Sequence, residues 1–285
     1  MYVIRMLIID TFLYDGDTIL VERLKTMYPY VDFFYMVEAA YTFSGKKKPF
    51  LYSETAETKA ILEPYMDKVI IVTLPEFPEV PMNWIYSKIS ITSTYNENFE
   101  AWWREAYQRS FIFDCIRKDL KDHEYVLIAA DVDEIVAPHL LKSLKEDYRS
   151  VHPVIQEKPV FMTMYFYYYS WKWVKSFNWT KPFVVHSNVL EKLYADTQSP
   201  TLLNDIRVEM SSDNRIPNSG WHLSYFMTAD EIARKIEHFS HTELDREHFK
   251  VREWVQKCIE EGLDVFKRPT ENCIPSKGIP YYLEQ

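Results

Sequence analysis

Glycine is scarce in this 285-residue chain, which contains only five glycines and neither a Gly-x-Gly-x-x-Gly motif nor a P-loop. Both motifs use glycine to bring the backbone close to phosphate groups, so their absence disfavours dinucleotide-dependent enzymes and P-loop kinases.

Cysteine is scarce as well. The three cysteines lack the spacing of a metal or redox site, and their odd number cannot complete a disulfide framework. This cysteine usage favours a reducing compartment.

Long apolar runs and an excess of positive charge are also missing. No segment approaches 18 consecutive apolar residues, so the sequence predicts no membrane span. The apolar start of the chain is too short and too early for a signal peptide, and we therefore expect a cytoplasmic protein. The net charge of −9 argues against nucleic-acid binding, which depends on clustered Lys and Arg.

The order of apolar patterns predicts one α/β domain, a size that 285 residues allow. Strands are predicted at 3–9, 33–37, 69–73 and 125–130, and helices at 19–27, 54–66 and 98–120. This alternation is typical of a doubly wound, Rossmann-like half. After Pro138 the sequence predicts a short helix, then an aromatic stretch of strands from 161 and a strand at 221–226. The next predicted helix starts with the capping box Thr228 to Glu231. A last helix is predicted at about 245–261, and it ends at Gly262.

Three acids, Asp131, Asp133 and Glu134, follow the apolar run at 125–130. Such a run is typical of a strand buried on both faces, and open α/β sheets bind ligands beyond the carboxyl ends of their strands. Residues two apart in a strand share a face, so Asp131 and Asp133 are expected to converge on one cation, Mn²⁺ or Mg²⁺, that also binds phosphate oxygens. The alternative is that the pair starts a turn and caps the helix near Pro138.

Four segments, in this order, resemble glycosyltransferase family 17, the family of the β-1,4-mannosyl-glycoprotein β-1,4-N-acetylglucosaminyltransferases. They are 37–45 (Val-Glu-Ala-Ala-Tyr-Thr-Phe-Ser-Gly), 107–109 (Tyr-Gln-Arg), 131–135 (Asp-Val-Asp-Glu-Ile) and 220–224 (Gly-Trp-His-Leu-Ser). The resemblance covers about residues 3 to 265. It implies a single domain of the GT-A type, a Rossmann-like nucleotide-sugar-binding fold, and inverting transfer from a UDP-sugar such as UDP-N-acetylglucosamine to a glycan or glycoconjugate.

The resemblance also divides the expected domain into a nucleotide-sugar-binding half, 1–137, and an acceptor-binding half with the C-terminal helices, 138–285. Animal members of the family carry a membrane anchor and stem that this sequence does not show. A Golgi location and an N-glycan acceptor are therefore not carried over.

Several polar residues are candidates for binding the donor. Glu38 ends the second predicted strand, where its carboxylate can accept hydrogen bonds from uracil or ribose, or can cap a turn. Arg109 can clamp a phosphate or hold Asp133, and its alternative role is a structural ion pair. The lysines after Gly45 can meet phosphates or form a solvated charge run. The donor-site candidates are Thr11, Glu38, Lys46, Lys48, Arg109 and Asp131.

The metal, the base and the acceptor have candidates of their own. His222 lies in an apolar strand, where a lone histidine is usually a core residue, but the resemblance favours it as a metal ligand beside Asp131 and Asp133. The sequence leaves the catalytic base open among Glu134, Glu209, Asp213 and Glu243. Large rings can stack on the apolar faces of sugars, and the candidates for the acceptor site are Trp171, Trp173 and Trp179.

Two alternative functions compete with glycosyl transfer. A HAD-type phosphatase also has an Asp-x-Asp motif after an apolar strand, but it places the motif on the first strand and has Thr or Val where Ile135 stands here. The alternative that is not an enzyme is a catalytically silent, glycan-binding module of the GT-A type.

Overall fold

The structure is a computed structural model that describes residues 6–89, 98–210 and 213–278. Its strands are β1 (Leu7–Leu13), β2 (Phe33–Ala39), β3 (Val69–Leu74), β4 (Tyr125–Ala129), β5 (Glu134–Val136), β6 (Val160–Met162), β7 (Met164–Tyr168), β8 (Trp173–Trp179), β9 (Phe183–His186), β10 (Arg215–Ile216), β11 (Gly220–Ser224) and β12 (Ile274–Pro275). Its helices are α1 (Leu20–Met27), α2 (Leu51–Glu54), α3 (Ala56–Leu62), α4 (Met82–Ile89), α5 (Phe99–Asp119), α6 (Pro138–Val151), α7 (Ser187–Thr197), α8 (Leu202–Glu209), α9 (Ala229–His238), α10 (Glu247–Lys250) and α11 (Arg252–Glu261).

The larger sheet has the strand order β10-β6-β9-β4-β1-β2-β3. Strands β4, β1, β2 and β3 are parallel, whereas β9 runs antiparallel to β4 and β6. The chain adds β2 and β3 on one side of β1 and then places β4 on the other side, so the strand order reverses between β1 and β4. Such a reversal leaves a crevice at the carboxyl ends of the two strands. The predicted α/β, Rossmann-like fold is confirmed.

The core lies on both faces of this sheet. Ile8, Phe34 and Ile128 pack on the face covered by α1 and α6, and Ile9 and Leu127 pack on the face covered by α5 and α8. Because both faces are covered, the parallel strands are apolar at nearly every position, as the sequence predicts.

A smaller sheet, β12-β8-β7-β11-β5, lies beyond the carboxyl end of β4. Strand β5 belongs to residues 1–137 and joins this smaller sheet, whereas β6, β9 and β10 belong to residues 138–285 and join the larger one. The two predicted halves therefore share both sheets. The predicted capping box is present at the start of α9, and Gly262 ends α11 in the left-handed conformation with φ 70°.

Three local predictions are wrong. Strand β1 continues to Leu13, so Thr11 lies within the strand, and the first predicted residues, 3–5, lie outside the described ranges. The last helix is divided at Val251 into α10 and α11. Strand β4 ends at Ala129, and the acidic segment forms a turn in which Glu134 N donates to Asp131 O at 2.9 Å. The two aspartates therefore do not share a strand face.

Candidate functional site

A cavity of about 590 Å³ opens at the carboxyl ends of β1 and β4, where the strand order reverses. Its walls come from the loop after β1, the loop after β2, the acidic turn after β4, and α5, α8, β11 and α9. The charged residues and histidines that line it are Asp15, Asp17, Lys48, Glu105, Arg109, Asp131, Asp133, Lys181, Arg207, His222, Glu231, Arg234, Lys235, His238 and His241.

On one wall, two arginines hold the first acid of the turn; we name Arg109, Arg207, Asp131 and Glu134 the arginine cluster. Arg109 contacts one oxygen of Asp131 at 2.5 Å, and Arg207 contacts the other at 2.6 Å. Burial by itself would raise the pKa of Asp131, but the two guanidinium charges outweigh it and lower the pKa to about 2. Both oxygens of Asp131 are therefore occupied by protein partners, which argues against the predicted metal-ligand role.

Glu134 lies beneath this wall and is fully buried. Its carboxylate accepts hydrogen bonds from Arg207 at 2.7 and 2.9 Å, from Trp179 Nε1 at 2.5 Å and from Asp131 N at 2.6 Å. A carboxylate so fully engaged, and with no exposed surface, has no oxygen aimed at an acceptor. The structure thus argues against Glu134 as the base and gives it a role in positioning the turn.

A second cluster of charges in the cavity is held differently; we name Asp17, Asp133, His222 and Lys235 the lysine–histidine cluster. Lys235 Nζ lies 3.0 Å from Asp17 and 3.2 Å from Asp133, and His222 Nε2 lies 3.5 Å from the other oxygen of Asp133. Burial would raise the pKa of Asp133, but Lys235 and His222 hold it well below its ordinary value. Burial would lower the pKa of Lys235, and the two carboxylates instead raise it. Lys235 therefore already places one cation beside Asp133.

Glycine at position 220 makes the placement of His222 possible. Gly220 has φ 148°, and a Cβ there would collide with the carbonyl oxygen of Ile135 on the neighbouring strand β5. The ring of His222 stacks on Phe166 with centroids 4.2 Å apart, and its buried Nδ1 has no hydrogen-bond partner among the described residues. The ring is therefore fixed by packing, with Nε2 turned towards Asp133.

Two residues of the lysine–histidine cluster offer donor atoms for the divalent cation that the sequence predicts. Within 6–89, 98–210 and 213–278, no group of three or more His, Cys, Asp or Glu side chains is arranged to hold a metal ion. Asp133 and His222 nevertheless supply an oxygen and an imidazole nitrogen that face each other, a donor pair suited to Mn²⁺. Mg²⁺ and similar ions are often held by one or two protein groups plus substrate phosphates. Asp133 and His222 are therefore sufficient protein ligands for a divalent cation of this kind.

The loop after β1 carries functional candidates that the sequence analysis missed. Asp15, Gly16 and Asp17 are all contacted by α9: His238 Nδ1 lies 2.6 Å from Asp15, Arg234 donates to Gly16 O at 3.5 Å, and Lys235 contacts Asp17. Gly16 has φ 89° and lies against Arg234, so a side chain there would be strained and crowded. The reasoning applied to the acids after β4 would have found these acids after β1.

Two further cations line the cavity without an acidic partner. Lys181 and Arg234 form no ion pair with any residue in the described part of the chain, and Arg234 is exposed at the cavity mouth. Burial and the nearby charge of Arg207 lower the pKa of Lys181. A residue such as Lys181 carries no signal in the sequence, because its position follows from how β8 and β9 are connected.

The structure places several predicted donor-site residues outside the cavity lining. Glu38 is fully buried and accepts hydrogen bonds from Leu51 N at 2.5 Å, Tyr52 N at 3.1 Å and Lys48 at 3.2 Å, so it organises the loop after β2. Thr11 is buried and donates to Ile128 O within the sheet. Lys46 is exposed and pairs with Glu237 at 3.3 Å. Of these predicted residues, Lys48, Arg109 and Asp131 line the cavity.

The remaining predicted bases and aromatic residues are also spread over the molecule. Glu209 pairs with Lys88, Asp213 is exposed near β10, and Glu243 contacts His241 at 2.8 Å; these three acids are absent from the cavity lining. Trp173 is a core residue packed against Gly262, and Trp171 packs on Trp221 and Phe226. Trp179 does line the cavity, with its ring 4.4 Å from that of His222.

Comparisons with known proteins identify the family. A solved mannosyltransferase from Pyrobaculum calidifontis, in complex with GDP-Man and Mn²⁺, is similar over 92% of this chain and 67% of that chain, with 11% sequence identity and a TM-score of 0.35. That likeness is too low to support a functional argument. No curated protein matches the sequence. The model of glycosyltransferase family 17 matches residues 4–273. Since this match spans nearly the whole chain, the protein belongs to glycosyltransferase family 17.

Proposed function

We propose that the protein transfers a sugar from a UDP-sugar, with UDP-N-acetylglucosamine as the first candidate, to a hydroxyl of a glycan or glycoconjugate, with inversion and with the help of Mn²⁺ or Mg²⁺. Family membership supports sugar transfer as such. The finer proposal rests on one observation: Asp133 and His222 face each other in a cavity at the carboxyl ends of β1 and β4, beside cations that lack acidic partners.

The charges of the cavity suit the diphosphate of a nucleotide sugar. Lys181 and Arg234 form no ion pair with a described acid, whereas Arg109 and Arg207 are committed to Asp131. A diphosphate would therefore be drawn to the free cations rather than to the arginine cluster. The position at a reversal of strand order is where open α/β sheets bind nucleotides.

Asp133 and His222 would hold the divalent cation, and Lys235 is the group next to that position. When bound, the cation would neutralise the charge that develops on the leaving nucleotide. The packing of His222 on Phe166 and Trp179 keeps its imidazole in place, and the contact of Lys235 with Asp17 keeps the ammonium beside Asp133 in the free protein.

Trp179 is the remaining acceptor candidate of the three predicted tryptophans. It lines the cavity, and its Nε1 is held by Glu134, so its ring presents a fixed apolar surface beside the lysine–histidine cluster. The indole would align a sugar hydroxyl with the donor.

The proposed setting is the cytoplasm, and it rests on the cysteine usage of the sequence. Cys115, Cys258 and Cys273 are free thiols in the structure. Within the described ranges, no helix is both long and apolar enough to cross a bilayer. The net charge of −9 makes nucleic acid an unsuitable partner.

A thermal-shift screen tests the proposal most directly, because a ligand that binds only the folded state raises its melting temperature. We expect UDP or UDP-N-acetylglucosamine to raise the melting temperature, and Mn²⁺ to enlarge the effect. The Asp133→Asn variant should lose the additional increase in melting temperature that Mn²⁺ gives. Asp213 is an exposed acid outside the cavity, so the Asp213→Asn variant should keep that increase.

A transfer assay with UDP-N-acetylglucosamine and a panel of oligosaccharides then tests the chemistry. Full activity in excess EDTA would contradict the metal proposal. Binding of UDP-sugars without any transfer or hydrolysis would instead favour the silent glycan-binding module. The phosphatase alternative is set aside, because the family match spans nearly the whole chain.

A further inference from the structure

Each acid that lines the cavity has at least one protein partner, so none of them stands out as the base for the acceptor hydroxyl. Asp131 is held by two arginines, Asp133 by Lys235 and His222, and Asp17 by Lys235. Glu105 contacts Arg109 and Ser240, and Glu231 serves the capping box of α9. A group that accepts a proton has to present a lone pair to the cavity.

His238, in the last turn of α9, meets this requirement. Its Nδ1 lies 2.6 Å from Asp15 Oδ2, and its side chain is 20% exposed and lines the cavity. Because an ionised carboxylate only accepts hydrogen bonds, the neutral imidazole carries its proton on Nδ1 and its lone pair on Nε2. Nε2 forms no hydrogen bond with any residue that the structure describes, so it is free for a substrate.

Asp15 is well suited to orient and support this imidazole. Burial by itself would raise the pKa of Asp15, but the hydrogen bond from His238 and the charge of Lys48, 3.2 Å away, keep the pKa below its ordinary value. The carboxylate lies against the ring nitrogen and would stabilise the imidazolium that forms when the ring takes up a proton. A base whose ring is oriented by a carboxylate is a recurring arrangement in enzymes that activate a nucleophile.

The position of His238 relative to the cation site agrees with this role. His238 and Lys235 are three residues apart on α9 and therefore lie on the same helix face, about 5–6 Å apart at their Cβ atoms. Lys235 contacts Asp133, one of the two proposed cation ligands. The imidazole thus lies about one helical turn from the place where the donor diphosphate would be bound.

We propose that His238 is the general base of the transfer reaction and that Asp15 is its positioning residue; this assignment rests on the proposed function. As the acceptor oxygen attacks the anomeric carbon, the hydroxyl proton moves to His238 Nε2. The new C–O bond forms, and the bond between the anomeric carbon and the diphosphate oxygen breaks, with its electron pair leaving on the nucleotide. The imidazolium, paired with Asp15, then releases the proton to solvent.

The test compares His238→Ala with wild type in three measurements: binding of UDP with Mn²⁺ by calorimetry, hydrolysis of UDP-N-acetylglucosamine, and transfer to the oligosaccharide acceptor found active with wild type. Transfer should fall by about 10²- to 10⁴-fold, the usual contribution of a general base, while the Kd for UDP changes less than about 3-fold. Added imidazole should restore part of the transfer, which it would not do for a residue of purely structural importance.

Three companion variants make the result decisive. His139→Ala removes an exposed histidine on α6 and should transfer like wild type. His238→Gln keeps a hydrogen-bond donor for Asp15 and serves if the alanine variant does not fold; it should also lose transfer. Asp15→Asn should lower kcat, and it should change the KM for the donor by a smaller factor.

The outcomes separate this assignment from the proposed function. Transfer by His238→Ala or His238→Gln within about 5-fold of wild type would overturn the base assignment and leave sugar transfer intact. Equal loss of UDP binding and transfer, with no rescue by imidazole, would reassign His238 to a structural role. A wild-type protein that binds no nucleotide sugar and transfers none would overturn the proposed function and the base assignment together.

Discussion

The arginine cluster and the lysine–histidine cluster carry similar charges but hold them in different ways. In the arginine cluster, Arg207 uses its planar guanidinium to contact both Asp131 and Glu134, and the latter is fully buried. In the lysine–histidine cluster, Lys235 places a single ammonium between Asp17 and Asp133. An arginine fork makes several fixed hydrogen bonds, whereas lysine is a compact charge on a flexible stem.

Because of this difference, the guanidinium of Arg207 is a fixed cation, whereas the ammonium of Lys235 can be exchanged for another cation. Removing Arg207 would leave Glu134 buried without its main charged partner. Lys235 could withdraw if another cation took its place beside Asp133, because its side chain is 28% exposed and both of its acidic partners line the open cavity. We infer that the arginine cluster supports the acidic turn and that the lysine–histidine cluster receives the donor and its cation.

The largest effect is expected from Arg207→Met, which leaves a buried carboxylate unpaired. We expect a loss of about 3–5 kcal/mol in the free energy of unfolding, measured by urea denaturation, with no recovery on addition of Mn²⁺. Arg117→Met is the matched control, because the side chains of its pair with Glu191 are 33% and 46% exposed and the pair should contribute less than about 1 kcal/mol. A similar loss of unfolding free energy in Arg207→Met and Arg117→Met would contradict a special structural role of the arginine cluster.

Lys235→Met tests the lysine–histidine cluster. We expect the metal-free variant to lose about 1.5–3 kcal/mol of unfolding free energy, because charge-assisted hydrogen bonds to Asp17 and Asp133 disappear. Mn²⁺ should restore part of that stability in Lys235→Met and none in Arg207→Met. Denaturation with and without Mn²⁺ measures this, and a failure of Mn²⁺ to stabilise the lysine variant would contradict an exchangeable site.

Acid titration sharpens the comparison from the side of Asp131. Its pKa is lowered from 3.8 to about 2, so the ionised form stabilises the folded state above about pH 4, and this contribution is lost as the pH falls through about 2. The shift corresponds to about 2 kcal/mol. The stability difference between wild type and Asp131→Asn should shrink by that amount over this window, whereas a constant difference would show that the arginines do not set this pKa.

The smallest effect is expected from Trp179→Phe, which keeps an aromatic ring beside His222 but removes the indole donor to Glu134. We expect a loss of about 1 kcal/mol, because Arg207 and the amide of Asp131 still satisfy the carboxylate. Retained transfer would indicate that acceptor binding depends on the aromatic ring at position 179 and not on the hydrogen bond from the indole to Glu134. A loss as large as that of Arg207→Met would mean that Trp179 also holds the turn.

Local patterns in the sequence were sufficient for much of the fold. The apolar run at 125–130 predicts a buried strand, and β4 is such a strand. The helix at 98–120 is α5, with Asn98 accepting a hydrogen bond from Ala101 N as its cap. These predictions hold because strand and helix periodicity, capping and burial are properties of neighbouring residues. The prediction that Asp131 and Asp133 share a strand face failed where a turn replaced the strand.

The sequence by itself determined the α/β alternation, the family and the edge of the sheet where acids gather after β4. The tertiary structure alone decided which charges meet. Arg207 reaches Glu134 across 73 residues of sequence, and His238 reaches Asp15 across 223. The same packing turned Glu38 and Glu134 into internal hydrogen-bond acceptors and left Lys181 without an acidic partner among the described residues. Periodicity reports burial, but ion pairing depends on distances that only the folded chain fixes.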